Sequence, residues 1–323
     1  MTVIVTGAAG FIGMHVCAGL LDRGTKVHAI DAMTPYYDPA LKRARLAALE
    51  GRSGFSFAEA DLSDAEAAAA AFVGDGAVEA VVHLAAQPGV RHSIEAPQAY
   101  VTANVMAQVN VLEAARRIEG LRQVVYASSS SVYGANSKLP FSESDRVDAP
   151  VSLYAATKRA AELVSESYAR LHRLPQTGLR FFTVYGPWGR PDMSPWIFAE
   201  AIARGEPVTL YNDGEIARDF TYIDDVVAGV LAALDRVPDG AVPHRIYNLG
   251  NRRAERLPDL VHLIAAALGR EAEIRHAPMQ PGDMAETYAD IAAAERDLGF
   301  APRTDLAAGI PAFVEWFRDY TGL

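Results

Sequence analysis

Val3-Ile4-Val5-Thr6-Gly7-Ala8-Ala9-Gly10-Phe11-Ile12-Gly13, almost at the start of the chain, is the stretch that decides the fold. A short apolar run reads as a buried strand, and a helix is predicted from about Phe11 to Asp22. Between them stand Gly7, Gly10 and Gly13. Glycines there permit a tight turn and the close approach of backbone to a pyrophosphate, and the helix N-terminus offers free N–H groups and the positive end of its dipole. The spacing is G-x-x-G-x-x-G. Following a strand and opening a helix, it reads as a dinucleotide-binding turn, with Phe11 and Ile12 on its helical side. Asp31 ends the next apolar run, 18 residues beyond Gly13. A carboxylate there accepts hydrogen bonds from an adenosine ribose and repels a 2′-phosphate, which favours NAD over NADP. Asp61 and Leu62, after a third run, are placed to meet the adenine edge, or Asp61 caps the helix that follows.

Working outward, strands and helices alternate for the first 180 residues. Strands are predicted at 3–6, 26–30, 55–58, 78–84, 123–127 and 178–182, with helices over 65–71, 97–117 and 154–171. This βαβα order predicts a Rossmann-type α/β fold, a doubly wound parallel sheet with helices on both faces. After Gly186-Pro187-Trp188-Gly189-Arg190-Pro191 the rhythm breaks and the elements shorten. Residues 1–185 are therefore read as the cofactor domain. Residues 186–323 form mainly a smaller mixed α/β substrate lobe, with segments near 224–250 returning to the large sheet.

Tyr154 and Lys158 lie four residues apart within a predicted helix and so share one face. A cation within about 4–6 Å lowers a neighbouring acid by about 1–3 pKa units, so Lys158 is expected to bring the Tyr154 phenol toward general-base duty. Ser128-Ser129-Ser130-Ser131-Val132-Tyr133-Gly134 follows an apolar strand and supplies hydroxyls for the same substrate oxygen.

The chain has 323 residues, half of them apolar, and a net charge of −10. That balance argues against nucleic acid and against an anionic membrane surface as partners. Cys17 is the single cysteine, so no internal disulfide forms; it reads as a buried core residue in a reducing compartment. The N-terminus lacks a basic stretch and runs straight into a strand, and no run of about 18 apolar residues occurs. A soluble, cytoplasmic protein is expected. The histidines show no metal-ligand spacing, and no metal is expected. His83 reads as packed, His92 as packed or facing substrate, and Trp188 as packed.

With these pieces together, the chain resembles the extended short-chain dehydrogenase/reductase family over essentially its whole length. Gly7, Gly10, Gly13, Asp31, Asp61-Leu62, His83-Leu84-Ala85-Ala86-Gln87, Asn104, the serine run, Tyr154, Lys158 and Arg218-Asp219-Phe220-Thr221-Tyr222-Ile223-Asp224-Asp225 carry the resemblance. Within the family it is most similar to members acting on UDP-glucuronate. That similarity rests on Tyr36-Tyr37-Asp38-Pro39, on Gln87-Pro88-Gly89-Val90-Arg91 and above all on Phe181-Phe182-Thr183-Val184-Tyr185-Gly186-Pro187-Trp188-Gly189-Arg190-Pro191-Asp192-Met193.

The resemblance implies NAD as cofactor, held by the glycine turn with Asp31, Asp61, Leu62, Leu84, Ala85, Ala86, Gln87 and Asn104, and met at the nicotinamide end by Tyr154 and Lys158. It implies a UDP-sugar substrate, a homodimer through two helices with extra apolar stripes, and 4-epimerisation of UDP-glucuronate to UDP-galacturonate through a 4-keto sugar. Tyr154 is then the base, Lys158 its partner and Ser129 the hydroxyl that assists. Ser130, Ser131 and Thr183 face the sugar, with Arg91 and Asp283 also on the substrate. Arg190 and Arg218 serve the acid group and the diphosphate in an order left open, and Thr209 and Tyr211 hold uracil. Gln280 stands where many relatives carry a diphosphate-binding arginine. A 4,6-dehydratase is set aside because Ser130 and Ser131 occupy its Asp-Glu positions. UDP-glucose 4-epimerase, UDP-glucuronate decarboxylase and a non-catalytic NAD-sensing protein remain the alternatives.

Overall fold

The computed structural model describes residues 2–73, 76–280 and 284–323. Strand β1 (Thr2–Thr6) is buried along its whole length, because both of its faces are covered. Val3 and Val5 join one apolar cluster, with Met14, Leu20 and Val230, while Ile4 between them joins another, with Val81, Val111 and Leu112. That division follows from the two-residue period of a strand. Helix α1 (Phe11–Asp22) runs back over the first cluster.

Six strands join in one parallel sheet with β1: β2 (Lys26–Asp31), β3 (Phe55–Glu59), β4 (Val78–His83), β5 (Gln123–Ser129), β6 (Gln176–Phe181) and the strand His244–Leu249. Their order is His244–Leu249, β6, β5, β4, β1, β2, β3. The chain reverses direction of winding at β1 and β4, which opens a crevice at their carboxyl ends. The strand His244–Leu249 extends the sheet beyond β6, and the helix Ile223–Asp235 packs on α1.

A third apolar cluster gathers Trp196, Phe198, Phe220, Phe313 and Phe317 from the later part of the chain. Leu41 of helix α2 (Pro39–Ala47), which follows β2, is buried in this cluster rather than under the sheet. Helix α2 thus ties the cofactor side of the sheet to the smaller lobe.

One predicted helix is interrupted. Residues 97–117 form the helix Pro97–Val101, a π-turn Thr102–Met106 and the helix Ala107–Ala115. Asn104 lies buried inside the π-turn. Its amide bonds the backbone of Gln87 and the Thr157 hydroxyl. A wider turn at that point lets the side chain reach both partners, as π-turns inside helices commonly do. Among the described residues, no helix is long and apolar enough to cross a membrane.

Candidate active site

The glycine turn is shaped by contact. Gly7 has φ +69°, and a Cβ there would lie 2.6 Å from the Ala85 nitrogen; a Cβ on Gly13 would overlap the Gly7 carbonyl oxygen. No side chain caps the N-terminus of α1, whose first N–H groups point into the turn. A cavity of about 270 Å³ opens there. At one end lie Asp31, Asp61 and Leu62; in the middle Gly7, Gly10 and the loop from Leu84 to Gln87; at the other end Ser129, Tyr154 and Lys158. Phe11, Ile12, Gly13, Ala85 and Ala86 also line it.

Asp31 is buried and its carboxylate accepts from Ala9 N at 3.1 Å and Met33 N at 2.8 Å, with the Lys42 ammonium at 3.4 Å. Asp61 is exposed and accepts from Ser63 N, while Asp64 caps the next helix. The capping alternative for Asp61 is therefore corrected to Asp64. Asn104 does not line the cavity. It acts from behind, fixing Gln87 on the wall.

At the chemical end, Tyr154 opens the helix Leu153–His172, capped by the Ser152 hydroxyl on Ala155 N at 3.1 Å. The expected effect of Lys158 on Tyr154 needs correction. Lys158 donates its ammonium to the Ala127 carbonyl at 3.0 Å. Burial raises the Tyr154 phenol, and the downward pull comes from a hydrogen bond with Ser129 and from the Arg190 charge. Burial lowers Lys158 to about 8, with Glu162 pulling it back up. The i, i+4 spacing aligned the two side chains, but the ammonium spends its reach on the strand. His83 is packed as expected: it bonds the Thr6 hydroxyl at 2.7 Å, and burial lowers it to about 3.

Arg190 reaches the same cavity from residues 186–193. Asp192 holds it by its Nε at 2.9 Å and one Nη at 2.5 Å, and the Tyr36 hydroxyl donates to Asp192 at 3.1 Å. This side-on grip leaves the outer edge of the guanidinium free for a second carboxylate. Ser130, Ser131, Thr183 and Arg218 lie together in an adjoining cavity of about 150 Å³. Arg190 thus stands with the phenol, and Arg218 lines the other cavity.

A family model described as the NAD dependent epimerase/dehydratase family matches residues 3–250. The chain belongs to that family. Over 333 residues it is 46% identical to UDP-glucuronate 4-epimerase 4 of Arabidopsis thaliana, covering 99% of this chain and 76% of that one. It is 42% identical to protein CapI of Staphylococcus aureus over 334 residues, 99% of each chain. The crystal structure of the UDP-glucuronic acid 4-epimerase from Bacillus cereus, in complex with UDP-glucuronic acid and NAD, is similar with a TM-score of 0.90 and 33% identity, covering 99% of this chain and 100% of that one.

Among the described residues, the remaining substrate candidates of this epimerase/dehydratase family member, Arg91, Thr209 and Tyr211, lie outside both cavities. Arg91 is exposed with its guanidinium over the Tyr211 ring at 5.2 Å, and Thr209 is exposed on the strand Val208–Tyr211. Asp283 falls outside the described residues. His92 sits beside the Tyr36 ring, 5.2 Å between centroids, and Trp188 packs on Trp316.

Two residues escaped the sequence reading. Lys42 lines the cavity beside Asp31 and also bonds Thr34. Arg45, three residues on and fully buried, donates to the carbonyls of Ala9, Trp188 and Gly189 and to the Tyr37 hydroxyl. The i, i+3 spacing of Lys42 and Arg45 on a helix with buried Leu41 and Leu46 was the available signal. It was masked by the ordinary look of a basic helix face.

Proposed function

We propose that this chain is an NAD-dependent 4-epimerase that interconverts UDP-glucuronate and UDP-galacturonate. The observation that carries the reading is Arg190 in the same cavity as Ser129, Tyr154 and Lys158, a guanidinium with a free edge beside the phenol. The relatives named above support it. The residues present fit the dinucleotide: glycines let the turn fold tightly against Ala85 and against itself, the N-terminus of α1 carries no side-chain cap, and Asp31 lines the far end of the same cavity.

When bound, NAD supplies the oxidation and the reduction at C4 that inversion requires, since the hydrogen there is not acidic. The chain's own residues do the rest. Tyr154 takes the proton of the 4-hydroxyl and later returns one. Ser129, hydrogen-bonded to the phenol, stabilises the phenolate and can turn its one proton to the substrate oxygen as the phenol is reprotonated. Lys158 holds the end of β5 and adds positive charge to the dinucleotide end. Arg218, with Ser130, Ser131 and Thr183, serves the diphosphate and sugar, so that binding energy remote from C4 anchors the substrate while the sugar turns over.

A 4-keto glucuronate is a β-keto acid and loses CO₂ once its carboxyl-bearing bond stands perpendicular to the carbonyl plane. Arg190, gripped by Asp192, holds the carboxylate away from that geometry. The exposed apolar side chains Val101, Met106 and Leu163 on neighbouring helices support a homodimer, testable by sedimentation. Cys17, a fully buried free thiol, suits the reducing cytoplasm, and the net charge of −10 suits a protein without a nucleic-acid partner.

Incubating the pure protein with NAD and UDP-glucuronate tests the reading. UDP-galacturonate is the expected product. UDP-xylose identifies a decarboxylase, and no turnover with NAD bound identifies a sensing protein.

A further inference from the structure

The helix Leu153–His172 places Tyr154, Lys158 and Glu162 at successive i, i+4 positions, one stripe running from the cavity into the core. The mechanism above uses the first two. Glu162 is 1% exposed, and four hydrogen bonds converge on it. One carboxylate oxygen accepts from the Ser128 hydroxyl at 2.6 Å and Arg180 Nε at 2.8 Å; the other accepts from Arg180 Nη2 at 3.0 Å and Arg159 Nη1 at 2.9 Å. Arg180 in turn donates to the Tyr133 hydroxyl, which donates to Asn248.

The partners fall on consecutive residues of β5. Ala127 takes the Lys158 ammonium, Ser128 is tied to Glu162 and faces Arg180 across the β5–β6 ladder, and Ser129 presents its hydroxyl to the phenol. A buried ion pair is weak evidence of stabilisation, because well-packed apolar residues often serve as well or better. What a pair of this kind does supply is a fixed geometry and a fixed charge. Glu162 is the anion set against the Lys158 ammonium, one helical turn away.

We propose that Glu162, clamped by Arg180, Arg159 and Ser128, is a positioning residue of the reaction: it holds the end of β5 against the Tyr154–Lys158 stripe and maintains the charge on Lys158. The inference rests on the epimerase reading in assigning Lys158 a working role. The groups facing Lys158 are Tyr154 and Glu162 from its own helix and His83 from β4; Arg180 from β6 and Arg159 act on it through Glu162.

The test is the pH dependence of kcat/KM for UDP-glucuronate, whose alkaline limb marks the loss of the Lys158 charge. Glu162→Gln removes the anion and should move that limb to lower pH by about half a unit or more. Arg159→Ala removes a cation that offsets Glu162 and should move it to higher pH. The Arg159 side chain is 30% exposed, so this variant tests the idea even where Glu162→Gln does not fold. NAD affinity, measured by calorimetry, should stay within about threefold in both. A loosened fold does not shift one limb in opposite directions. Limbs that coincide with the wild type, or that move the same way in both variants, overturn the proposal. With Arg159→Ala alone, an unmoved limb overturns it. Wild-type product analysis separates the two levels: no conversion of UDP-glucuronate means the epimerase reading fails, whereas conversion with unmoved limbs means only the role of Glu162 fails.

Discussion

Tyr154 and Arg190 line one cavity but are held by different means. The phenol stands on a 20-residue helix packed against the ends of β5 and β6, with the Glu162–Arg180 pair closed off behind it. The guanidinium stands on a turn. Its grip comes from Asp192, two residues on, and from Tyr36, which arrives from the loop after β2. The turn itself is fixed by Arg45, which ties the carbonyls of Trp188 and Gly189 to that of Ala9 in the glycine turn. Trp188 there has φ +64°, a conformation that costs a non-glycine residue and persists only where its surroundings enforce it. On the proposed reading, then, the chemistry rests on regular structure, and the recognition of the acid rests on a loop tied to the cofactor side by Arg45. A fold built this way can change its sugar by changing the turn while the phenol and its strand stay in place.

The comparison can be broken most directly at its chemical wall. Tyr154→Phe should keep NAD and UDP-glucuronate binding and lose turnover on the order of 10²-fold or more, read from product formation. Near-normal turnover would show that another group takes the proton. At the recognition wall the effect should be smaller and selective. Arg190→Ala should weaken UDP-glucuronate binding by about 10- to 100-fold, the worth of a charged hydrogen-bonded contact, and weaken UDP-glucose little. Calorimetry on both nucleotides reads this, and released CO₂ would mark the freed carboxylate. Equal losses on the two sugars would put Arg190 on the diphosphate instead.

Arg45→Lys sharpens the link between the walls. A lysine keeps the charge but cannot span three carbonyls as a planar fork does. A stability loss of about 1–3 kcal/mol is expected by denaturant titration, with weaker binding of NAD and UDP-glucuronate together. Weakening of one ligand alone would uncouple the walls. A further effect, absent at neutral pH, concerns acid stability. His83, at about 6.5 in an unfolded chain, is lowered to about 3 by burial and by the Lys158 charge. The unfolded chain binds the extra proton, so the stability from neutral His83 is complete above about pH 6.5 and falls as pH drops toward 3, by at most about 1.4 kcal/mol per unit. Thermal melts across that range should show a shallower acid slope in His83→Gln than in the wild type; equal slopes would exclude His83 as the source.

How far the sequence carried the reading differs between the two walls. The Gly7–Gly13 turn, Asp31 and the Tyr154/Lys158 spacing all describe neighbours within one turn or one strand end, and all of them line one cavity. Arg190 was legible by residue type and segment, but not its company. Arg45 was missed, since the carbonyls it binds lie 36 to 144 residues away. Asn104 was read as a cofactor contact, and its actual partners, Gln87 and Thr157, meet it only across a π-turn.

By itself the sequence determined the parallel sheet, the cofactor turn and the phenol–ammonium stripe, because hydrophobic period, glycine freedom and helical spacing are local properties of a chain. Only the tertiary structure decided the electrostatics. Lys158 is drawn to Ala127 while Arg190 and Ser129 act on Tyr154, and Tyr36, far off in sequence, braces the Asp192 that grips the arginine. Charge interactions depend on distance and burial through space, and neither is written in the order of residues.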